Sequence, residues 1–180
     1  MSLLYAENYC EENIWHLAGD AAVGPGERFA VFITSPARAT PLWKQRAAPR
    51  EDEPVLWDYH VILLLRTMEG TEVYDLDTTL GFPTPLGEYL RATFHPERPV
   101  PAENRARFRV LAADEYRRSF GSDRRHMLLP DGTWRSPPPP WPLIQAGALT
   151  LDAALDLDRD TPGELMDLEA LARRFGVELA

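Results

Sequence analysis

The sequence contains, in chain order, the residue types that thiol catalysis requires. Cys10 is the single cysteine of the 180 residues and lies where a short lead-in turns into a predicted helix. His60 lies in a predicted strand, and Asp75 and Asp77 follow in the next predicted strand. A thiol hydrolase needs a cysteine nucleophile, a histidine base and an acid that orients the histidine. The pattern therefore predicts a Cys–His–Asp site.

Cys10 would begin the predicted helix Cys10–Ala18. The free N–H groups and partial positive charge of a helix N-terminus lower the pKa of a thiol and can hold an oxyanion. Glu11 and Glu12 oppose ionisation of the thiol, so a histidinium partner is needed to complete its activation. The alternative is a small buried hydrophobe, which is the commoner role of a free cysteine in a cytosolic protein.

His60 is the best placed of the four histidines to act as the base, because a strand holds its position. Side chains alternate along a strand, so Asp58, His60 and Ile62 are predicted to share a face that could form a polar site. His126 is the main rival, since serine, aspartate and arginine residues precede it. The alternative for His60 is a strand histidine that is hydrogen-bonded on a half-exposed face.

Asp75 and Asp77 are two residues apart and are predicted to share one face of their strand. A hairpin turn at Glu69–Gly70 would bring that strand beside the strand of His60. Either carboxylate could then bond the imidazole N–H and fix its tautomer. The alternative is an exposed strand edge that turns at Asp77–Thr78. Spacing leaves the choice between the two acids open.

The order of the predicted elements indicates an α+β fold, with a helix first and then a mostly antiparallel sheet with further helices. The length favours a single domain that covers residues 1–180. The polar, Pro-rich stretch 122–142 is predicted to be irregular or polyproline II. The predicted strands are Phe29–Thr34, Pro41–Gln45, Val55–Arg66, Glu72–Asp77 and Phe108–Ala113, and the helices are Cys10–Ala18, Leu86–Phe94, Asp114–Phe120 and Leu168–Phe175 with Asp167 as its cap.

Composition excludes several classes of function. The formal net charge of −9 argues against non-specific nucleic-acid binding and favours a cationic ligand such as a free amino terminus. The longest apolar run, Val61–Leu65, is too short to span a bilayer, and Met1–Glu7 does not resemble a signal peptide. A lone thiol fits a reducing compartment, so we expect a cytoplasmic protein. The chain contains no motif for a metal or nucleotide, so we expect no cofactor.

At these same residues the sequence resembles the protein N-terminal glutamine amidohydrolase family. The resemblance covers nearly the whole chain in order, and its Trp-Asp-Tyr-His block is highly specific. The chain departs from the family in starting close to Cys10 and in lacking the family's other cysteines. The matching blocks are Tyr9–Trp15, Ala30–Ile33, Trp43–Gln45, Trp57–Val61, Tyr74–Thr78, Phe108–Val110, Ser122–Arg124, His126–Met127, Trp134–Arg135, Pro137–Pro140 and Arg174–Gly176.

The resemblance implies a papain-like α+β fold, in which the N-terminal helix carries the nucleophile and packs on the sheet. It implies a triad of Cys10, His60 and Asp75, which resolves the choice that spacing leaves open. It also implies hydrolysis of the side-chain amide of N-terminal glutamine in peptides and proteins, through a thioester, as a step in N-degron processing. No cofactor or metal is implied. Because no coiled coil or repeat suggests assembly, we expect a monomer.

Selectivity for the first residue requires a group that binds the α-ammonium. Glu11, Asp58 and Asp77 are the candidates, and the sequence does not rank them. Two alternative functions remain open. A thiol peptidase or a transglutaminase-like acyltransferase would use the same triad on another acyl group or with another acceptor. A non-enzymatic interaction module would instead use the Pro-rich segment 137–142.

Overall fold

An antiparallel six-stranded sheet forms the centre of the computed structural model, which describes residues 3–145 and 147–179. The strand order is β6-β5-β4-β1-β7-β8, and β2 and β3 form a separate two-stranded ribbon. The strands are β1 (Glu27–Thr34), β2 (Thr40–Leu42), β3 (Val55–Trp57), β4 (His60–Arg66), β5 (Thr71–Tyr74), β6 (Thr84–Pro85), β7 (Arg107–Ala112) and β8 (Glu164–Met166).

Helices cover both faces of the six-stranded sheet, so the predicted α+β class is confirmed. The helices are α1 (Cys10–Ala18), α2 (Leu86–Phe94), α3 (Ala113–Ser119), α4 (Leu151–Leu155) and α5 (Leu168–Arg174), with short 3₁₀ turns at Ala21–Val23, Ala102–Asn104 and Arg125–Met127. Helices α1, α3 and α4 pack on one face. Helices α2 and α5 pack on the other face. Among the described residues, no helix combines the length and the apolar character needed to cross a membrane.

Strands β1 and β4 are the two central strands and are buried on both faces. Ala30 and Phe32 of β1 belong to the core beneath α1, whereas Val31 and Ile33 belong to the core on the opposite face. This explains the continuous apolar sequence of β1, because a strand covered on both sides does not need polar residues at alternate positions. The β1–β4 register sets Ile33 opposite His60, which places His60 at the end of the sheet.

The predicted strand Val55–Arg66 is interrupted at Asp58 and Tyr59. The Asp58 carboxylate accepts a hydrogen bond from the Tyr59 N–H at 2.9 Å, and the Asp58 carbonyl accepts one from the Thr34 hydroxyl at 2.8 Å. These local bonds compete with a strand ladder and break the segment into β3 and β4. The prediction that Asp58 shares a strand face with His60 is therefore wrong, and Asp58 is exposed to solvent.

The predicted hairpin between β4 and β5 is confirmed, with Arg66 opposite Thr71. However, β5 ends at Tyr74, so Asp75 and Asp77 lie beyond the strand and not on one of its faces. The Asp77 N–H donates to the Asp75 carboxylate at 2.9 Å, which closes a turn directly after the strand. The two acids are near one another because of this turn, and the expectation based on strand alternation is wrong.

The mostly irregular character of residues 122–142 is confirmed, apart from a 3₁₀ turn at Arg125–Met127. The predictions for α1, α2 and α5 are also confirmed, and the Asp167 carboxylate accepts from the Ala170 N–H at 2.8 Å as a cap. Helix α4 and strand β8 were not predicted. Both are short, with five and three residues, so their local sequence signal is weak.

Ile14 attaches α1 to the sheet, and its removal should loosen the helix. Ile14 is 1% exposed within the core beneath α1. We expect Ile14→Ala to lower the free energy of unfolding by about 2–5 kcal/mol, because it removes buried methyl groups and leaves a cavity. Chemical denaturation would measure the change. The control is Leu56→Ala, at a residue 65% exposed. An equal loss in both variants would contradict this role of Ile14.

Candidate active site

The Asp75 carboxylate is buried and accepts hydrogen bonds on both oxygens. Its Oδ1 accepts from His60 Nε2 at 2.8 Å and from the Asp77 N–H at 2.9 Å. Its Oδ2 accepts from the Tyr89 hydroxyl at 2.8 Å and from the Gln45 amide at 3.4 Å. Burial alone would raise the pKa of Asp75, but the charge and hydrogen bonds around it hold that pKa below the ordinary value. Asp75 is thus kept ionised in the protein interior.

His60 is 1% exposed, and its two ring nitrogens have different surroundings. Nε2 is engaged by Asp75, which fixes the proton on that nitrogen. Nδ1 is buried and has no hydrogen-bond partner in the described part of the chain, so its lone pair is free to accept a proton. Burial lowers the pKa of His60, but the charge and hydrogen bond of Asp75, together with the charges of Asp77 and Glu11, outweigh this effect and raise the pKa above its ordinary value. The Trp57 ring stacks on the imidazole, with 5.1 Å between centroids.

Cys10 is the first residue of α1, as predicted, and is 5% exposed. Its thiol donates to Glu11 Oε2 over 3.8 Å. Burial and then the charges of Glu11 and Asp77 raise the pKa of Cys10, against the opposing effect of the Val61 N–H. The pKa of this thiol is thus raised, although a helix N-terminus by itself would lower it. Two buried carboxylates and a low dielectric outweigh the helix N-terminus.

Strand β4 connects the surroundings of the Cys10 thiol with those of the imidazole. The Val61 N–H lowers the pKa of the Cys10 thiol, and Val61 follows His60 in the chain. Of the described residues, none forms a hydrogen bond with His60 Nδ1, so the thiol and the ring are not bonded to one another. The imidazole thus keeps the lone pair of Nδ1 free of partners in the described part of the chain, and the Asp75 carboxylate binds its other nitrogen.

A buried cluster on the other side of the thiol includes His126, the rival base. Glu11 is 0% exposed, and its Oε2 accepts from the Tyr59 hydroxyl at 2.8 Å. His126 Nε2 lies 3.1 Å from the same hydroxyl and 3.5 Å from Glu11 Oε1. Burial raises the pKa of Glu11 to about 7. His126 therefore belongs with Glu11 and Tyr59, whereas His60 is the histidine that pairs with an ionised aspartate.

Glu12 anchors the first turn of α1 to the distant Pro-rich segment. Arg124 binds both Glu12 oxygens, with Nε to Oε1 at 2.8 Å and Nη2 to Oε2 at 2.7 Å. Ser122 and the Trp141 indole donate to the same carboxylate at 2.9 and 2.7 Å. Arg124 also donates to the Pro139 carbonyl at 3.4 Å. Sequence reasoning missed this network, because these residues have ordinary surface types and lie far apart in the chain.

Asp77 is the second acid beside the His60–Asp75 pair. It is 8% exposed, and its Oδ1 accepts from the Tyr5 hydroxyl at 2.6 Å. Burial raises the pKa of Asp77, and the neighbouring Asp75 charge adds to this effect. Ligand atoms of His60, Asp75 and Asp77 lie within 4.8 Å of one another, a spacing that could hold a metal ion. Hydrogen bonding within the group accounts for this proximity.

Little of this site faces solvent. Cys10 and Asp77 are 5% and 8% exposed, whereas His60 is 1% and Glu11 is 0% exposed. A cavity of about 550 Å³ lies elsewhere, between the segments 36–41, 94–107 and 167–169.

Comparisons with known proteins agree with the resemblance found in the sequence. A family model described as N-terminal glutamine amidase matches residues 5–175. The chain is 39% identical to human protein N-terminal glutamine amidohydrolase over 181 residues, covering 96% of this chain and 88% of the relative. It is 39% identical to the cattle protein of the same name, covering 96% and 86% of the two chains. Its identity to the zebrafish protein of that name is 38%, with 97% and 90% covered.

The elevated pKa of Glu11 predicts a pH-dependent stability. The folded protein keeps this proton up to a pKa of about 7, whereas the ordinary pKa of a glutamate is 4.5. The contribution of Glu11 to the free energy of unfolding is therefore complete below pH 4.5 and is lost as the pH rises to about 7. The loss is on the order of 3 kcal/mol. Glu11→Gln removes this dependence, so the variant should gain stability relative to wild type between pH 4.5 and pH 7.

Chemical denaturation at both pH values would measure the difference. The matched control is Glu69→Gln, an exposed carboxylate in the β4–β5 turn. This control should change the free energy of unfolding by less than about 0.5 kcal/mol at either pH. Parallel stability curves for Glu11→Gln and wild type would show that Glu11 ionises normally in the fold.

Proposed function

Because the chain belongs to the N-terminal glutamine amidase family, we propose that it hydrolyses the side-chain amide of an N-terminal glutamine in peptides and proteins, yielding glutamate and ammonia. The single observation that carries this proposal is the buried His60–Asp75 pair, whose hydrogen bond is 2.8 Å long and whose carboxylate charge influences the pKa of the Cys10 thiol. These are the three residues that the family resemblance assigns to a triad.

In the proposed reaction, Cys10 is the nucleophile and His60 is the base. As the sulfur attacks the amide carbon, the thiol proton passes to His60 Nδ1, the nitrogen that Asp75 leaves free. The C–S bond forms and the carbonyl π electrons move to the oxygen.

The first turn of α1 is a candidate oxyanion site. The N-cap residue, Tyr9, makes no side-chain hydrogen bond to this turn, so its N–H groups are not engaged by a cap. Backbone N–H groups at a helix N-terminus stabilise developing negative charge. We assign the oxyanion to this turn, with the N–H of Cys10 as one donor.

Collapse of the tetrahedral intermediate completes the first half of the reaction. The imidazolium of His60 gives its proton to the departing nitrogen, the C–N bond breaks, and ammonia leaves a thioester on Cys10. His60 then takes a proton from water as the water oxygen attacks the thioester. The C–S bond breaks, glutamate is released, and the sulfur regains its proton. Asp75 stays ionised throughout and orients His60.

The alternative functions share part of this machinery. A thiol peptidase or a transglutaminase-like acyltransferase would use Cys10, His60 and Asp75 in the same roles. The interaction-module alternative has less support, because Pro139 and Trp141 are bonded to Arg124 of the same chain. We further propose a cytoplasmic, monomeric, single-domain enzyme, and the glutamate that it exposes at an N-terminus suits a role in N-degron processing.

Ammonia release from a glutamine-first peptide tests the proposed function directly. Wild type should release ammonia from the free peptide and none from its N-acetylated form. Cys10→Ala and Asp75→Asn should each lower kcat/KM by about 10⁴-fold, because each removes one member of a cooperating set. His60→Asn tests the remaining member of this set. Its matched control is His95→Asn, since His95 pairs with Glu97 and not with the site.

Four outcomes would contradict the proposal. Wild type that releases no ammonia is not an amidohydrolase of this class. Cleavage of the peptide backbone would favour a peptidase, and incorporation of an added amine would favour an acyltransferase. Retention of activity in Cys10→Ala would exclude the thioester, whatever the product.

A further inference from the structure

A second carboxylate, that of Asp77, lies beside the catalytic pair and has no part in the reaction described above. One carboxylate oxygen of Asp77 lies within 4.8 Å of a ring nitrogen of His60 and of a carboxylate oxygen of Asp75. Its backbone is held on both sides, since its N–H donates to Asp75 at 2.9 Å and its carbonyl accepts from the Arg46 N–H at 2.8 Å. The position of this carboxylate is therefore fixed relative to the imidazole.

The Asp77 carboxylate retains capacity to accept hydrogen bonds. Within residues 3–145 and 147–179, its one side-chain donor is the Tyr5 hydroxyl, which binds Oδ1 at 2.6 Å. Arg46 lies nearby, with its guanidinium 5.9 Å from the centroid of the Tyr5 ring, and forms no ion pair with Asp77 in that range. A buried carboxylate with one free oxygen is suited to bind a cation.

The other candidate carboxylates are less suitable. Asp75 already accepts from four donors. Glu11 is 0% exposed, and its charge is diminished by a pKa of about 7. Asp58 is exposed, and its carboxylate bonds the Tyr59 N–H at 2.9 Å. Only Asp77 combines partial exposure, a free oxygen and contact with the catalytic pair.

The dimensions of glutamine fit this position. Four covalent bonds separate the side-chain amide carbon from the α-nitrogen, so the two atoms lie at most about 5 Å apart. With the amide carbon against the Cys10 sulfur, the α-ammonium must lie within one short side chain of the nucleophile. The Asp77 charge raises the pKa of the Cys10 thiol more strongly than the Asp75 charge does.

We propose that the Asp77 carboxylate, oriented by Tyr5, binds the α-ammonium of the N-terminal glutamine, an inference that rests on the function proposed above. An acetylated or internal glutamine offers a neutral amide at this point and leaves the Asp77 charge unpaired. Such substrates are rejected because a buried carboxylate loses its counter-ion, and not because they fail to fit the site.

A pair of substrates separates recognition of the ammonium from the chemical step. One is a glutamine-first peptide, and the other is the same peptide with a 4-carbamoylbutanoyl group, which has hydrogen in place of the α-amine. We expect wild type to prefer the glutamine peptide by at least about 100-fold in kcat/KM. Asp77→Asn should lose about 100-fold on the glutamine peptide and change little on the analogue, so the preference disappears.

Two further variants complete the experiment. Asp58→Asn is the matched control and should leave the preference unchanged. Tyr5→Phe should lower the preference by several-fold, since it removes one hydrogen bond to Asp77 and keeps the ring. Tyr5→Phe tests the proposal even if Asp77→Asn does not fold. Thermal denaturation would show whether each variant folds.

The possible results are distinguishable. Equal losses on both substrates in Asp77→Asn would mean that Asp77 only positions the catalytic pair, which overturns the inference. Loss of the preference in Asp58→Asn or Glu11→Gln, with Asp77→Asn normal, would place the ammonium elsewhere and also overturn it. Wild type that deamidates neither substrate would refute the proposed function itself, and the inference with it.

Discussion

An ionised carboxylate in a dry interior is the constraint on which this structure depends. Asp75 is 2% exposed, and an unpaired charge at such a site is strongly unfavourable. Its donors come from separate parts of the chain, namely His60 in β4, Tyr89 in α2, Gln45 after β2 and the backbone of Asp77. The hydrogen bonds to this one carboxylate form only when the sheet, a helix and two loops come together. The same contacts fix the position of the His60 ring.

Adjacent acids in the first turn of α1 have opposite electrostatic surroundings. Glu11 and Glu12 are both 0% exposed. Glu12 is paired with the Arg124 guanidinium, whereas the Glu11 side chain has the Tyr59 hydroxyl and the Cys10 thiol as its donors. The helix thus places a compensated charge at Glu12 and a titratable group, Glu11, next to Cys10. This difference explains why a helix N-terminus, which ordinarily acidifies a thiol, does not do so here.

Local signals predicted the elements, and long-range contacts decided the site. Periodicity and end residues are properties of one segment, so the bounds of α1 could be predicted correctly. Spacing could not separate Asp75 from Asp77, because both lie in a turn whose hydrogen bonds involve distant residues. Alternation failed at Asp58, where a side chain bonds the backbone and ends the strand. The pairing of Glu12 with Arg124 had no local signal, since 112 positions separate the two residues.

That separation has a consequence for biosynthesis. A ribosome releases α1 early, but the partners of Glu12 lie 112 and 129 positions further along the chain, at Arg124 and Trp141. Until those residues emerge, a carboxylate next to Cys10 lacks its counter-ion and the helix cannot dock with its charge compensated. Docking of the first helix with its charge compensated therefore has to wait until most of the polypeptide, including the proline-rich stretch, has been synthesised.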